Sequence, residues 1–518
     1  MDTAHSILRS ARHFFAGTFL SRVSGMARDI AMAFCFGSSP EIAAFMVSYR
    51  LANLFRRLLG EGNLQAGFVP QFESFKAESR ERAVRFYREV SFSLGIVLLC
   101  LIAVLEGILW GCLYWAGSSD CVELAMWMVP GLFFICLSAL NSSLLQCEKK
   151  YFLPAASPVA FNFVWIIAAL LVWHLPKAEA VRWLSIAMTG AFGAQWVATA
   201  TAGKRWLGQN RGKVSLFSED WKKLLKPLSL GIIGIGAVQF NSALDAIFAR
   251  IADAEGPAFL WYAIRIEQLP LALFGIALSG ALLPPLARAI KSEDLNLYRQ
   301  LLHSSLRQSA ALMLVCTFGI LALGGVGINL LYGHGDFSAS DVQSTLYCLW
   351  AYGLGLVPSV FVLLLAAGFY AQKSYRKPTF SALFSVAVHI GLNALFVFAF
   401  NLGAVSIALS TSLSAILNVL LLTQGLKQKV GEIFTSDFWS FFFRMALCCA
   451  VPAALVYEIN SIWNHGEFPR LFSLQAVQCA VLSFIYIFGV LMLAWRLKLD
   501  EFSALFRRKR AERSDFVQ

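Results

Sequence analysis

Histidine is scarce in this chain. The seven, at 5, 13, 174, 303, 334, 389 and 465, are scattered and fall mostly in loops or tails, and His389 reads as packing within a helix. A proton-shuttling or zinc-dependent enzyme gathers such groups at one site. No H-x-x-x-x-D, interfacial D-x-D or G-x-S-x-G pattern supplies a catalytic group either, so the sequence argues against an enzyme. The eleven cysteines show no metal spacing, and Cys448 and Cys449 are adjacent rather than two apart. They read as small packing residues. Cys112 and Cys121 bracket the outer ends of two helices, the placement that an oxidising compartment would let bridge. Charge is also sparse, at 14% of 518 residues, against about 25% in an ordinary soluble domain. No small-residue cleavage site follows the first apolar stretch, which Arg22 and Arg28 interrupt, so that stretch reads as a retained first helix rather than a signal peptide.

What fills the chain instead is apolar sequence, 58% of residues, with a mean hydropathy of +0.64. Runs such as SFSLGIVLLCLIAVLEGILWGCLYWAG (91–117) and VLSFIYIFGVLMLAW (481–495) are membrane-spanning in character. Spans of about 20 residues tile the chain roughly fourteen times. They fall over 12–37, 41–60, 84–116, 122–147, 153–174, 180–203, 225–252, 257–287, 299–331, 341–371, 378–400, 404–425, 437–457 and 473–496.

Alternate loops are basic, at 75–89, 147–151, 203–213, 372–377, 425–429 and the tail 506–513, and the intervening ones are acidic or neutral. That is the positive-inside pattern, and with an even helix count it puts both termini in the cytoplasm. The net charge of +12 is thereby assigned to anchoring at a membrane face, with no call for nucleic acid. The segment 206–226, ending SEDWKKLLKP, reads as a short interfacial helix.

An internal repeat divides the chain. A shift of 215 residues puts Arg50 on Arg265, Asn53 on Gln268, Leu54 on Leu269 and Pro70 on Pro285. The expected fold is an all-α polytopic membrane protein with two pseudo-symmetric six-helix lobes, 1–215 and 216–430, then two further helices and a basic tail over 431–518. Copies separated by an even number of helices relate by an axis along the membrane normal, and transporters so built place substrate near the midplane.

Charges inside apolar stretches carry the functional signal, because a charge at membrane depth is costly and usually marks a substrate or ion path. Arg22, Gly25 and Asp29 recur at i, i+3 and i+7, so they share a helix face. Arg50, Asn53 and Arg57 share another, while Arg28 and Arg56 lie about 100° off those faces. Arg265, with Glu267 and Gln268 beside it, interrupts a third apolar run. Arginine offers a planar, bidentate fork and keeps its charge. A cavity with this net positive set suits an anion, with phosphate or pyrophosphate the best match. Arg56 and Arg57 lie close to a basic loop, where snorkelling to the interface accounts for them as well.

The runs SRVSGMARDIAMAFCFG (21–37) and AAFMVSYRLANLFRRLLGEGNLQAGFVPQF (43–72) resemble the MurJ/MviN family of lipid II flippases, within the multidrug/oligosaccharidyl-lipid/polysaccharide exporter superfamily. RIEQLPLALFGIALSGALLPPLA, AAGFYAQKSYRKP and GAVSIALSTSLSAILNVLLL fit the same family. The resemblance covers nearly the whole chain and implies fourteen helices. It implies lipid II as substrate, moved between leaflets of the bacterial cytoplasmic membrane, with the cell-wall synthesis machinery as possible company. It puts the family's first-helix charges on Arg22, Arg28 and Asp29, its second-helix arginine on Arg56, its eighth-helix arginine on Arg265 and its E-G glutamate on Glu61. The competing expectation is an exporter of a drug or another sugar-lipid from the same superfamily.

The chain departs from its relatives in three places. Ala43 and Gln268 stand where some have acids, with Glu41 and Glu267 nearby. Asp245 and Asn393 match a sodium site of some relatives, but Val397 replaces its last carboxylate. A hard cation wants several oxygen ligands, so sodium coupling is not expected, and hydrogen bonding to Gln239, Asn241 or Asn393 is the alternative role for Asp245. No cofactor is expected. Membrane potential, worth ~2.3 kcal/mol per charge per 100 mV, is the expected drive.

Overall fold

The computed structural model describes residues 4–59, 63–117, 119–207, 215–464 and 468–499, and no strand occurs among them. The elements run α1 (Ala4–Phe36), α2 (Pro40–Leu59), α3 (Asn63–Glu78), α4 (Arg80–Ala116), α5 (Asp120–Met128), α6 (Gly131–Cys147), α7 (Phe152–Ala156), α8 (Pro158–Val172), α9 (Lys177–Leu207) and α10 (Glu219–Ala252). Then come α11 (Gly256–Pro270), α12 (Ala277–Lys291), α13 (Leu295–Tyr332), α14 (Ala339–Leu354), α15 (Leu356–Ala371), α16 (Arg376–Ala394), α17 (Val405–Val430), α18 (Ser436–Asn464) and α19 (Phe472–Arg496). Two π-helical stretches, Leu271–Ile276 and Leu395–Ala399, extend α11 and α16.

The chain is a helical, multi-span membrane protein. Among the described residues nine helical stretches are long and apolar enough to cross a membrane, and α5 with α6, bent by 43°, makes a tenth. The remaining four expected spans are α1, α2, α9 and α10. The shortest of them has 20 residues, about 30 Å at 1.5 Å per residue, but all four fall outside the set that passes on length, hydropathy and charge together.

Breaks in the spans follow residues that cannot continue a helix. Pro130 sits at the α5–α6 bend, and Pro158 opens α8 after the short α7. Proline lacks the amide hydrogen and clashes with the preceding turn. Pro270 immediately precedes the first π stretch, the usual local answer to an interrupted ladder.

Two loops of the sequence reading are helical. Residues 75–89 belong to the end of α3 and the start of α4, separated only by Ser79, whose hydroxyl accepts from Arg82 N at 3.1 Å. Leu64, Phe68, Phe72 and Phe75 are buried at helical spacing on α3, and Phe68 and Phe75 lie 5.6 and 4.9 Å from Phe86 of α4. The basic side chains of this segment decorate an amphipathic helix. SEDWKKLLKP is likewise not a separate interfacial helix: from Glu219 it forms the first turns of the 34-residue α10. Most of 203–213 and the whole 506–513 tail lie outside the described residues.

The helices form two compact units. The first holds residues 1–250 with 335–337, the second 251–334 with 338–518. The division falls at Arg250 rather than at 215/216, because α10 is tied to the first unit. Arg250 Nη1 donates to Pro40 O at 3.0 Å, and Arg57 Nη1 to Gln239 Oε1 at 3.3 Å.

Within the first unit α1 lies close against α7 and α8. At Gly17 a β-carbon would sit 2.6 Å from Phe152 O, so only glycine allows this approach. A buried polar chain links α4, α6 and α9: Tyr87 bonds Asn141, Asn141 Nδ2 donates to Thr199 Oγ1 at 3.4 Å, and Thr199 pairs with Ser138 at 3.2 Å. Residues 335–337 dock by Asp336 N donating to Phe34 O at 2.9 Å and by an ion pair with Lys177 at 3.5 Å.

In the second unit α13 is the central element, with 38 residues. α18 and α19 pack on it. Tyr486 Oη donates to Val315 O at 2.7 Å, and Gly489 lies where a β-carbon would be 2.9 Å from Pro452.

Candidate functional site

Three charged residues are buried among the described residues of the first unit: Arg28 and Asp29, side by side on α1, and Glu89 on α4. Arg28 is 7% exposed and Asp29 2%, on a helix too apolar around them to leave either unpaired. Arg28 Nε and Nη2 both donate to Asp29 Oδ1, at 3.0 and 2.7 Å. Nη1 donates to Asn162 Oδ1 on α8 at 3.1 Å. Asn162 Nδ2 donates in turn to Ser24 Oγ at 2.9 Å, one helical turn before Arg28. The guanidinium carbon stands 4.4 Å from the ring centre of Trp165, one α8 turn beyond Asn162.

Trp165 is itself fixed from all sides. Its indole nitrogen donates to Met32 Sδ at 3.0 Å, and Phe45, Tyr49 and Phe161 surround its ring at 5.6, 5.1 and 5.5 Å. An aromatic face attracts a cation through its quadrupole, more strongly once water is excluded. The arginine is therefore oriented from three directions: by a carboxylate, by an amide oxygen and by an aromatic plate. Such a group can present its fork to an anion without first paying for order, since the order is already built in.

Arg22 does not join this cluster. It is exposed, although Gly25 and Asp29, on the same helical face, turn inward. The difference lies in what α1 packs against. Phe14, Phe15, Phe19, Leu20 and Val23 are exposed, whereas Met32, Ala33, Cys35 and Phe36 are buried, so apart from the close approach at Gly17 the helix buries its side chains only in its second half.

On α2, Arg50, Asn53 and Arg56 are half-buried, and Arg57 is exposed with its bond to Gln239. Glu61 lies outside the described residues. In the second unit Arg265 is half-buried and stacks on Trp261 of its own helix, 4.5 Å from the ring centre. Glu267 is buried beside it and Gln268 is exposed. An arginine-on-tryptophan contact is thus present in each unit.

The pieces of the suggested cation site fall in different units. Asp245 is half-buried on α10 of the first unit. Asn393 is fully buried on α16 of the second, and Val397 follows it in the π stretch. Among the described residues no three His, Cys, Asp or Glu gather as a metal site. Cys112 and Cys121 are unbridged.

The sequence reading missed Ser24, Asn162 and Trp165. For Asn162 and Trp165 the signal was present in PVAFNFVWIIAALLV (158–172), where a single amide interrupts an apolar helix and a tryptophan follows three residues later on the same face.

The family match and the sequence relatives point to one family. The model of the lipid II flippase MurJ family matches residues 32–477. A probable lipid II flippase MurJ of Chlamydia trachomatis is 32% identical over 396 residues, covering 76% of this chain and 74% of that protein. Its counterpart in Vibrio cholerae is 28% identical and covers 88% and 90%. A solved lipid II flippase MurJ in an inward closed conformation shares the fold, with a TM-score of 0.74, 23% identity and coverage of 93% and 99%. The family match over residues 32–477 and the relative of 32% identity together show that this chain belongs to the lipid II flippase MurJ family.

Proposed function

We propose that this chain moves lipid II, an undecaprenyl pyrophosphate bearing a disaccharide-pentapeptide, from the inner to the outer leaflet of the bacterial cytoplasmic membrane by alternating access. The observation that carries the reading is the buried Arg28–Asp29 pair on α1, aimed by Asn162 and Trp165. A membrane helix retains such charge where an anion must be met. Family membership supplies the substrate class.

In this reading Arg28 offers its fork to the pyrophosphate, and Asp29 and Asn162 hand over part of their hydrogen bonding to the incoming oxygens while keeping the guanidinium oriented. Within the same unit Arg22 and Arg56 add positive potential. The protein transports without catalysing a covalent step and uses no cofactor. Membrane potential acts on the charged groups. Both termini face the cytoplasm, where the basic loops hold them. The cell-wall synthesis machinery is the expected company, since it consumes the flipped precursor.

The test is the accessibility of lipid II at the outer leaflet in cells depleted of their own flippase. Expression of this chain is expected to restore accessibility. Expression at normal level without restoration would refute the assignment and leave export of a different substrate.

A further inference from the structure

The second unit holds a cavity of about 220 Å³ that the flippase reading does not use. It is lined by α13 (Leu321, Ala322, Gly325), by Gln343, Leu346 and Trp350 of α14, by Tyr457, Asn460 and Ser461 of α18, and by Phe468. Gln343 lies one turn from the start of α14, and Asn460 one turn from the end of α18. The cavity therefore opens where these helices reach the loops.

Its walls are built rather than incidental. Trp350 is fixed by its indole nitrogen, which donates to Leu321 O at 3.1 Å, and its ring centre stands 6.5 Å from that of Tyr457. Asn460 is held by Gln478 of α19, whose Nε2 donates to Asn460 Oδ1 at 2.9 Å. Gln478 is completely buried. Burying an amide is unfavourable unless it is bonded, so this pair fixes polarity beside the cavity. Gly325 keeps the floor open: a β-carbon there would lie 3.1 Å from the Phe468 ring.

We infer that this cavity binds one neutral sugar ring. The chemistry of the lining selects that class. Two aromatic rings, Trp350 and Tyr457, offer flat faces for the C–H side of a pyranose. Two planar amides and a hydroxyl, Gln343, Asn460 and Ser461, match its hydroxyl groups as donors and acceptors. Among the described residues none of the ten that line it is charged, so these offer a phosphate no cationic partner. The volume lies below the 300–1,000 Å³ usual for drug-sized ligands, which suits a single ring. The inference stands apart from the arginine cluster. Only its biological sense, a foothold for the sugar of a lipid-linked headgroup, rests on the flippase reading.

Saturation-transfer NMR on the full chain in phosphatidylcholine nanodiscs tests it, with N-acetylglucosamine as probe and no glycoside detergent present. The wild type is expected to transfer saturation to the sugar-ring protons. Tyr457→Ala and Asn460→Leu should each reduce the signal at least about fivefold. Leu447→Ala, an exposed change elsewhere on α18, should leave it intact. The double variant Arg28→Met with Asp29→Leu, which keeps the buried volume without stranding a charge, should also leave it intact while abolishing lipid II transport, so that failure of either idea is seen separately. Three results would overturn the inference: no transfer in the wild type, transfer that survives both lining substitutions, or equal lining-dependent transfer to glycerol 3-phosphate, which would mark a phospholipid headgroup pocket.

Discussion

Replacing Asp29 by alanine should destabilise the protein strongly, and a second substitution should reverse most of the loss. Asp29 supplies one oxygen to two Arg28 donors at 3.0 and 2.7 Å, and the two side chains are 3% and 8% exposed. Removing one member of a buried ion pair leaves the other charge desolvated, which costs about 3–5 kcal/mol. Trp165 retains its hold on the guanidinium, but a desolvated cation–π contact returns only ~2 kcal/mol. Replacing both charges by apolar groups of similar volume is often neutral or stabilising. In Arg28→Met with Asp29→Leu, the methionine sulfur can rest against Trp165, a favourable contact. Thermal unfolding of purified protein in one detergent should therefore rank the wild type and the double variant together, well above Asp29→Ala. Transport should be lost in both variants. A double variant no more stable than Asp29→Ala, or an Asp29→Ala protein as stable as the wild type, would refute the argument from desolvation.

Other expectations follow from the same structure. Arg28→Lys should keep wild-type protein levels but restore transport only partly in complementation, because an ammonium cannot bond Asp29 and Asn162 at once in the arginine's fork. Asp245→Asn should be mild, and transport into vesicles should persist when choline replaces sodium, since Val397 offers no ligand; a matched collapse under both changes would reveal a complete cation site. Gly17→Leu should sharply lower the yield of folded protein, measured by monodisperse recovery, because its β-carbon would overlap Phe152 O. Cysteine labelling should place residues 75–89 and the 506–513 tail on one side of the membrane and 334–341 on the other.

Helix positions were legible because apolar run length and loop charge report them directly. The helix α3 was not: its end falls in the segment 75–89, whose basic residues read as a loop, while Leu64, Phe68, Phe72 and Phe75 already carried the helical spacing. At the candidate site, Arg28 and Asp29 stood out as charges in an apolar helix, and the structure brings them together. Helical geometry alone grouped Arg22 with Asp29, yet exposure separates them, because a shared face says nothing of where along its length a helix meets its neighbours. Asn162 and Trp165 could not be assigned to Arg28 from sequence. The Asn162 contact spans 134 residues, and such pairing is set by the packing of α8 on α1 rather than by any local pattern.

The most direct test of the central claim is a flipping assay with purified protein in liposomes, reading the leaflet of lipid II beside an undecaprenyl lipid that lacks the pyrophosphate. The account predicts that the wild type moves lipid II and leaves the second lipid behind, and that the double variant Arg28→Met with Asp29→Leu, folded to the same melting temperature, moves neither. Equal movement of both lipids, or undiminished lipid II flipping by the double variant, would contradict it.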